Sequence, residues 1–145
     1  MITIINYGSG NIAAIANIYK RLNIDYVVAS KPNQLCLGSK LILPGVGAFD
    51  KTMELLNSSG LTDELNQLVL TKKIPILGVC VGMHVMANKS EEGNLKGLGW
   101  FDASVKKLDV SLLNRKPYLP HMGWNSVKPH LKHNLFNGVD LIRGY

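Results

Sequence analysis

Two hydrophobic periods alternate along the first part of the chain. Met1 to Asn6 is a β-branched run that ends in Tyr7-Gly8-Ser9-Gly10, so it predicts a strand running into a turn. Ile12, Ile15, Ala16, Tyr19 and Leu22 then recur at helical spacing, with Ser9 or Asn11 suited to cap that helix. Tyr26 to Ala29 predicts a second strand, closed by Lys31-Pro32-Asn33. Lys40 to Leu43 predicts a third, ending at Pro44-Gly45-Val46-Gly47. Helical patterning returns from Asp50 to Leu56, and again at Leu61, Leu65, Leu68 and Val69. Ile74 to Val79 predicts a fourth strand, and Met83 to Ala87 the first turns of a helix. Strands alternating with helices imply the α/β class: a mostly parallel sheet flanked by helices, with right-handed crossovers. The three glycine-rich turns follow strands one, three and four. They are therefore expected at one rim, the carboxyl ends where such sheets bind ligands.

After Asn88 the pattern changes. Ser90-Glu91-Glu92-Gly93 reads as a loop, Trp100 to Leu108 alternates weakly, and Ser126 to Lys128 follows the aromatic string Leu119-Pro120-His121-Met122-Gly123-Trp124-Asn125. Antiparallel strands appended to the sheet would account for this half. Gly8-Ser9-Gly10 starts like a dinucleotide fingerprint but lacks its third glycine, which argues against a dinucleotide site.

The 145 residues suit one domain with a real core, and 46% hydrophobic with 18% charged residues is ordinary for a globular protein. No apolar stretch is long enough to span a bilayer, and no basic, apolar leader opens the chain. The two cysteines, Cys36 and Cys80, make no disulfide framework, which suits a reducing cytoplasm. Cys36, between Leu35 and Leu37, reads as core packing. The net charge of +6 is uneven: residues 1–72 hold six Lys/Arg against five Asp/Glu, and residues 73–145 hold ten against five. The basic residues are scattered pairs without interleaved aromatics, so nucleic acid is not an expected partner.

Cys80 carries the chemistry. Gly78-Val79-Cys80-Val81-Gly82 sits between a buried strand and a helix, as in the nucleophile elbow G-x-S-x-G with sulfur in place of oxygen. A sharp turn there lifts the side chain out of the sheet, and the helix start favours a thiolate. The turn at Pro44 to Gly47 ends an adjacent strand, so its backbone can aim N–H groups at a developing oxyanion; the N–H of Val81 supplies another donor. A thiolate beside two such donors is the apparatus of acyl transfer. A structural cysteine after a core strand, and an ordinary strand-to-helix turn, are the plainer readings of the two segments.

Together with Ile5 to Asn11, Leu43 to Phe49, Gly78 to Met83, Ser90 to Gly93, Gly97-Leu98-Gly99-Trp100 and Pro120 to Asn125, these residues make the sequence resemble the class I (triad-type) glutamine amidotransferases. Within them it is most similar to the glutaminase subunits of imidazole glycerol phosphate synthase, the Pro-His-Met-Gly-Trp-Asn string being the specific segment. The resemblance implies the flavodoxin-like class I glutaminase fold in a single domain over residues 1–145, incomplete at the C-terminus. It implies that Cys80 attacks glutamine to form a γ-glutamyl thioester, and that Val46, Gly47 and Val81 hold the oxyanion. Gly45, His84 and Glu92 would contact substrate. Ammonia would pass by a face carrying Asn11, His121 and Trp124 to a (β/α)8-barrel cyclase subunit, in a heterodimer that serves histidine biosynthesis. No cofactor, metal, nucleic acid or membrane is implied.

Two departures keep an alternative open. The family elbow continues Cys-x-Gly-Met-Gln, and here His84 takes the place of that glutamine. The family's His-x-Glu pair is expected beyond Tyr145, and His121, His130 and His133 fall in other segments. The alternative is a paralogous or catalytically impaired amidotransferase subunit, acting as a binding partner or in surface-sugar amidation. An α/β-hydrolase-like thiol hydrolase would explain the elbow alone and neither of the other motifs.

Overall fold

The computed structural model describes residues 1–112, 123 and 134–138. The chain divides into two compact units, residues 1–107 and 108–145. In the second, the described residues include 3-10 turns at Val110–Leu112 and Asn134–Phe136. The expected strand at Ser126 to Lys128, with His121, Trp124, His130 and His133, lies outside the described residues.

The first unit is built on four parallel strands: β1 (Ile2–Ile5), β2 (Tyr26–Ala29), β3 (Lys40–Leu43) and β4 (Ile76–Gly78). Their order is β2-β1-β3-β4. Ile2 pairs with Tyr26 and with Lys40, and Leu43 pairs with Gly78. Burial follows position in the sheet. Thr3, Ile4 and Ile5 of β1 and Leu41, Ile42 and Leu43 of β3 are all buried, as inner parallel strands covered on both faces must be. Leu77 of the outer strand β4 stays 44% exposed.

Helix α1 (Ile12–Arg21) is capped by Asn11, whose side chain accepts the Ala14 N–H at 3.1 Å. Lys20 and Arg21 close it, complementing the negative end of the helix dipole. In α3 (Phe49–Ser58) the buried residues Phe49, Thr52, Met53 and Leu56 form one stripe against the core. Helix α4 (Thr62–Asn66) runs into a π-helical turn, Gln67–Thr71, and together they bury Leu65 and Leu68. The Trp100 indole N–H donates to Asn66 Oδ1 at 2.7 Å and ties the later segment to this helix. Helix α5 (Val81–His84) begins directly after Cys80, earlier than the expected Met83.

Three expectations are corrected. Lys31-Pro32-Asn33 is not a simple turn: Pro32 opens a one-turn helix, α2 (Pro32–Leu35), as proline suits the first helical position. That helical turn points Leu35 into the core and leaves Cys36 and Leu37 exposed, so Cys36 is not a core residue. The appended pair β5 (Lys89–Ser90) and β6 (Ser104–Val105) is parallel rather than antiparallel, because residues 91–103 return the chain as a crossover instead of a hairpin. Among the described residues no helix is long and apolar enough to cross a membrane.

Candidate active site

Cys80 occupies the junction of β4 and α5 at φ 57° and ψ −125°. Most L-residues avoid that conformation, and the side chain is left exposed. The turn is held from below by Val79 N–H donating to Leu43 C=O at 2.9 Å, and from above by Met83 N–H donating to Cys80 C=O at 2.9 Å. Gly78 and Gly82 are needed for closeness. A methyl group on Gly78 would lie 2.5 Å from Met83 Cα, and one on Gly82 would collide with the Leu43 carbonyl oxygen.

The turn after β3 presses against this elbow. A methyl group on Gly45 would collide with Gly82 N and lie 3.0 Å from the Val81 carbonyl carbon. The turn after β1 presses against it in turn. Gly10, at φ 92°, approaches so closely that a methyl group there would sit 2.7 Å from Pro44 Cβ. Buried Tyr7 donates its hydroxyl to Pro44 C=O at 2.6 Å. Burial pushes the Tyr7 phenol up, with a hydrogen bond to Ser9 partly opposing it. The carboxyl ends of β1, β3 and β4 thus converge, as the strand order 2-1-3-4 requires at its switch point.

The amides at this corner differ. Val46 N–H donates to Ser9 Oγ at 3.3 Å, and the Ser9 hydroxyl donates back to Val46 C=O at 3.2 Å, so the Val46 amide is engaged within the turn. Gly47, at φ 94°, and Val81, first in its helix, have N–H groups without a hydrogen bond among the described residues. Val46 itself is 65% exposed. His84 follows Cys80 by one turn and is half-buried, with Nδ1 buried and unpaired among the described residues.

Glu92 lies on the exposed loop between β5 and β6, where its N–H donates to Ser90 Oγ at 3.1 Å. Its neighbour Glu91 accepts the Lys107 N–H at 2.9 Å, and Asp50, in the first turn of α3, accepts Asn94 N–H at 2.8 Å and Leu95 N–H at 3.0 Å. The Glu92 carboxylate, by contrast, makes no hydrogen bond among the described residues. Asn11 is exposed at the start of α1, on the segment that follows Gly10.

The family model described as "Glutamine amidotransferase class-I" matches residues 3–142. The chain belongs to that family. The HisH subunit of imidazole glycerol phosphate synthase from Bdellovibrio bacteriovorus is 49% identical over 140 residues, covering 97% of this chain and 69% of that protein. The HisH 2 subunit of Methanococcus maripaludis is 46% identical over 139 residues, covering 96% and 67%. The HisH subunit of Leptospira interrogans is 46% identical over 127 residues, covering 88% and 62%. The amidotransferase chain therefore spans about two thirds of the length of these relatives. A crystal structure of a glutamine amidotransferase superposes with a TM-score of 0.61 over 79% of this chain and 59% of its own, at 23% identity, a likeness of fold.

Tyr7, Asp50 and Glu91 carry no sequence signal of the contacts they make in this amidotransferase, and Ser9, a candidate cap of α1, exchanges bonds with Val46 instead. Tyr7 and Ser9 lie in a segment that the motifs flagged, yet their partners are backbone groups 37 residues away. Asp50 carried a faint signal as an acid in a helix's first turn, a position that dipole complementarity already explains.

Proposed function

We infer that this chain is the glutaminase subunit of an imidazole glycerol phosphate synthase, serving histidine biosynthesis in the cytoplasm. The observation that carries the reading is Cys80, exposed at φ 57° on the β4–α5 turn with the Gly45 backbone packed against Val81 and Gly82. The family match and the names of its relatives support it.

In this reading the Cys80 thiolate adds to the side-chain amide carbon of glutamine. The oxygen of the tetrahedral adduct takes the negative charge, and the amides of Gly47 and Val81, free among the described residues, are its donors, beside the Val46 amide that Ser9 holds. The carbon–nitrogen bond then breaks, the nitrogen takes the proton released when the Cys80 thiol ionised and leaves as ammonia, and a γ-glutamyl thioester remains. Water adds to the thioester, the carbon–sulfur bond breaks, and glutamate departs with the thiol restored. Gly45, His84 and Glu92 contact the substrate, the Glu92 carboxylate, unpaired among the described residues, being suited to its α-ammonium group. Ammonia passes by a face carrying Asn11, His121 and Trp124 to a (β/α)8-barrel cyclase in a heterodimer. The family match crosses both compact units, which supports reading them as parts of one glutaminase domain.

The test measures glutamate released from glutamine by the protein mixed with its cyclase and a substrate analogue. Release is expected, and Cys80→Ala should lower it by about three orders of magnitude or more. One observation favours a second reading, a catalytically impaired binding subunit: His84, whose Nδ1 is unpaired among the described residues, stands where the family has glutamine. Tight association with the cyclase and no glutamate release would establish that reading and remove the first.

A further inference from the structure

We propose that Asp50 is a positioning residue for glutamine, fixing the Glu92 loop at a set distance from the oxyanion corner; the inference rests on the glutaminase reading above.

Asp50 is the second residue of α3, three positions after Gly47. Both of its carboxylate oxygens are used, Oδ2 by Asn94 N–H at 2.8 Å and Oδ1 by Leu95 N–H at 3.0 Å. A first-turn acid that served only the helix dipole would need neither bond. The loop is shaped to receive it. A methyl group on Gly93 would collide with Asp50 Oδ1, so the backbone beside Glu92 can close on the carboxylate only because residue 93 is glycine.

Other bonds fasten the loop elsewhere. Glu91 N–H donates to Val105 C=O at 3.0 Å, and the Glu91 carboxylate accepts the Lys107 N–H at 2.9 Å. These two bonds hold the start of the loop to β6 and the segment just after it, and Asp50 holds residues 94 and 95 to α3. The division among the carboxylates follows: Asp50 and Glu91 are spent on backbone, and Glu92 between these fastenings, without a hydrogen bond among the described residues, is the one suited to a ligand. Asp50 also lies five residues after Gly45 and three after Gly47. It thereby fixes the span between the Glu92 loop and the turn after β3. A fixed span of this kind lowers the cost of binding glutamine in a reactive pose.

Asp50→Asn keeps the shape of the side chain but faces one of the two loop amides with a donor. In the full chain with its cyclase, the KM for glutamine should rise about tenfold, the equivalent of one charge-assisted hydrogen bond, while kcat changes less than about twofold. Glu92→Gln should raise KM in the same way. The double variant should be no worse than Glu92→Gln alone, because Asp50 acts through Glu92. Amide exchange at Asn94 and Leu95 should accelerate in Asp50→Asn while the urea midpoint stays close to that of the unaltered chain. An unchanged KM in Asp50→Asn, or effects that multiply in the double variant, would overturn the inference and leave the glutaminase reading intact. A fall in kcat at constant KM would reduce Asp50 to a general structural role and overturn it likewise. Absence of glutamine turnover by the unaltered chain would remove both.

Discussion

Replacing Cys80 by glycine should stabilise the protein relative to replacing it by alanine, although both variants lose the thiol. The backbone at residue 80 is held at φ 57° and ψ −125°, outside the left-handed helical basin as well as the two main ones. A non-glycine residue in such a region costs on the order of 1–3 kcal/mol. Alanine retains that cost because it retains Cβ. Glycine removes it, but loses about 0.5–1 kcal/mol through the greater freedom of the unfolded chain. The side chain at this position is exposed, so little packing is lost in either variant. The net advantage of Cys80→Gly over Cys80→Ala is about 1 kcal/mol, or about 3 °C in Tm for a chain of this length. Urea unfolding of the two variants at matched concentration, with equal m-values, measures it directly. A glycine variant that is equal to or less stable than the alanine variant would show that residue 80 is unstrained, and the elbow argument for a presented thiol would fall with it.

Tyr7→Phe should cost about 1–3 kcal/mol, because the Pro44 carbonyl loses the 2.6 Å bond that satisfies it in a buried place; urea midpoints at neutral pH check this. The phenol is raised by burial, so its contribution is fully present below the ordinary value of about 10 and is lost as pH rises through the higher folded value. Stability measured from pH 8 to 11 should therefore fall more steeply in the unaltered protein than in Tyr7→Phe, and parallel curves would refute the assignment. Gly82→Ala should cost about 1–3 kcal/mol by driving a methyl group onto the Leu43 carbonyl, and an unchanged denaturation midpoint would show that the β3 turn does not press on the elbow.

The elements that carry the site were legible because their boundaries are marked locally. Tyr26 to Ala29 begins and ends with its hydrophobic run, between Asp25 and Ser30, and Lys40 to Leu43 is stopped by Pro44 and Gly45. Cys80 was legible because an elbow needs small residues at fixed offsets, and Gly78 and Gly82 meet that need through measurable contacts. What escaped notice has the opposite character. Cys36 sits between two leucines, but three consecutive helical positions cannot all face one core, and the turn at α2 spent its inward direction on Leu35. Two-residue strands such as β5 and β6 are too short for alternation to indicate direction. The bonds from Asp50 to Asn94 and Leu95 join residues 44 and 45 positions apart, and no local pattern encodes a side chain meeting a distant backbone. The exchange between Ser9 and Val46, which occupies one amide of the corner, is non-local in the same way.

Every strand pairing described in this protein is parallel, so each one closes a long excursion of the chain. Such closures lose entropy before they gain contacts, which makes assembly slow compared with a hairpin protein of similar size. Residue 80 follows two positions after an outer strand, β4, which comes after the other three in synthesis order. Until that strand zips onto its neighbour, the sulfur rides on a floppy tether with no fixed amides around it. The bend that presents the sulfur therefore arrives only with the pairing of Leu43 and Gly78, and not before it.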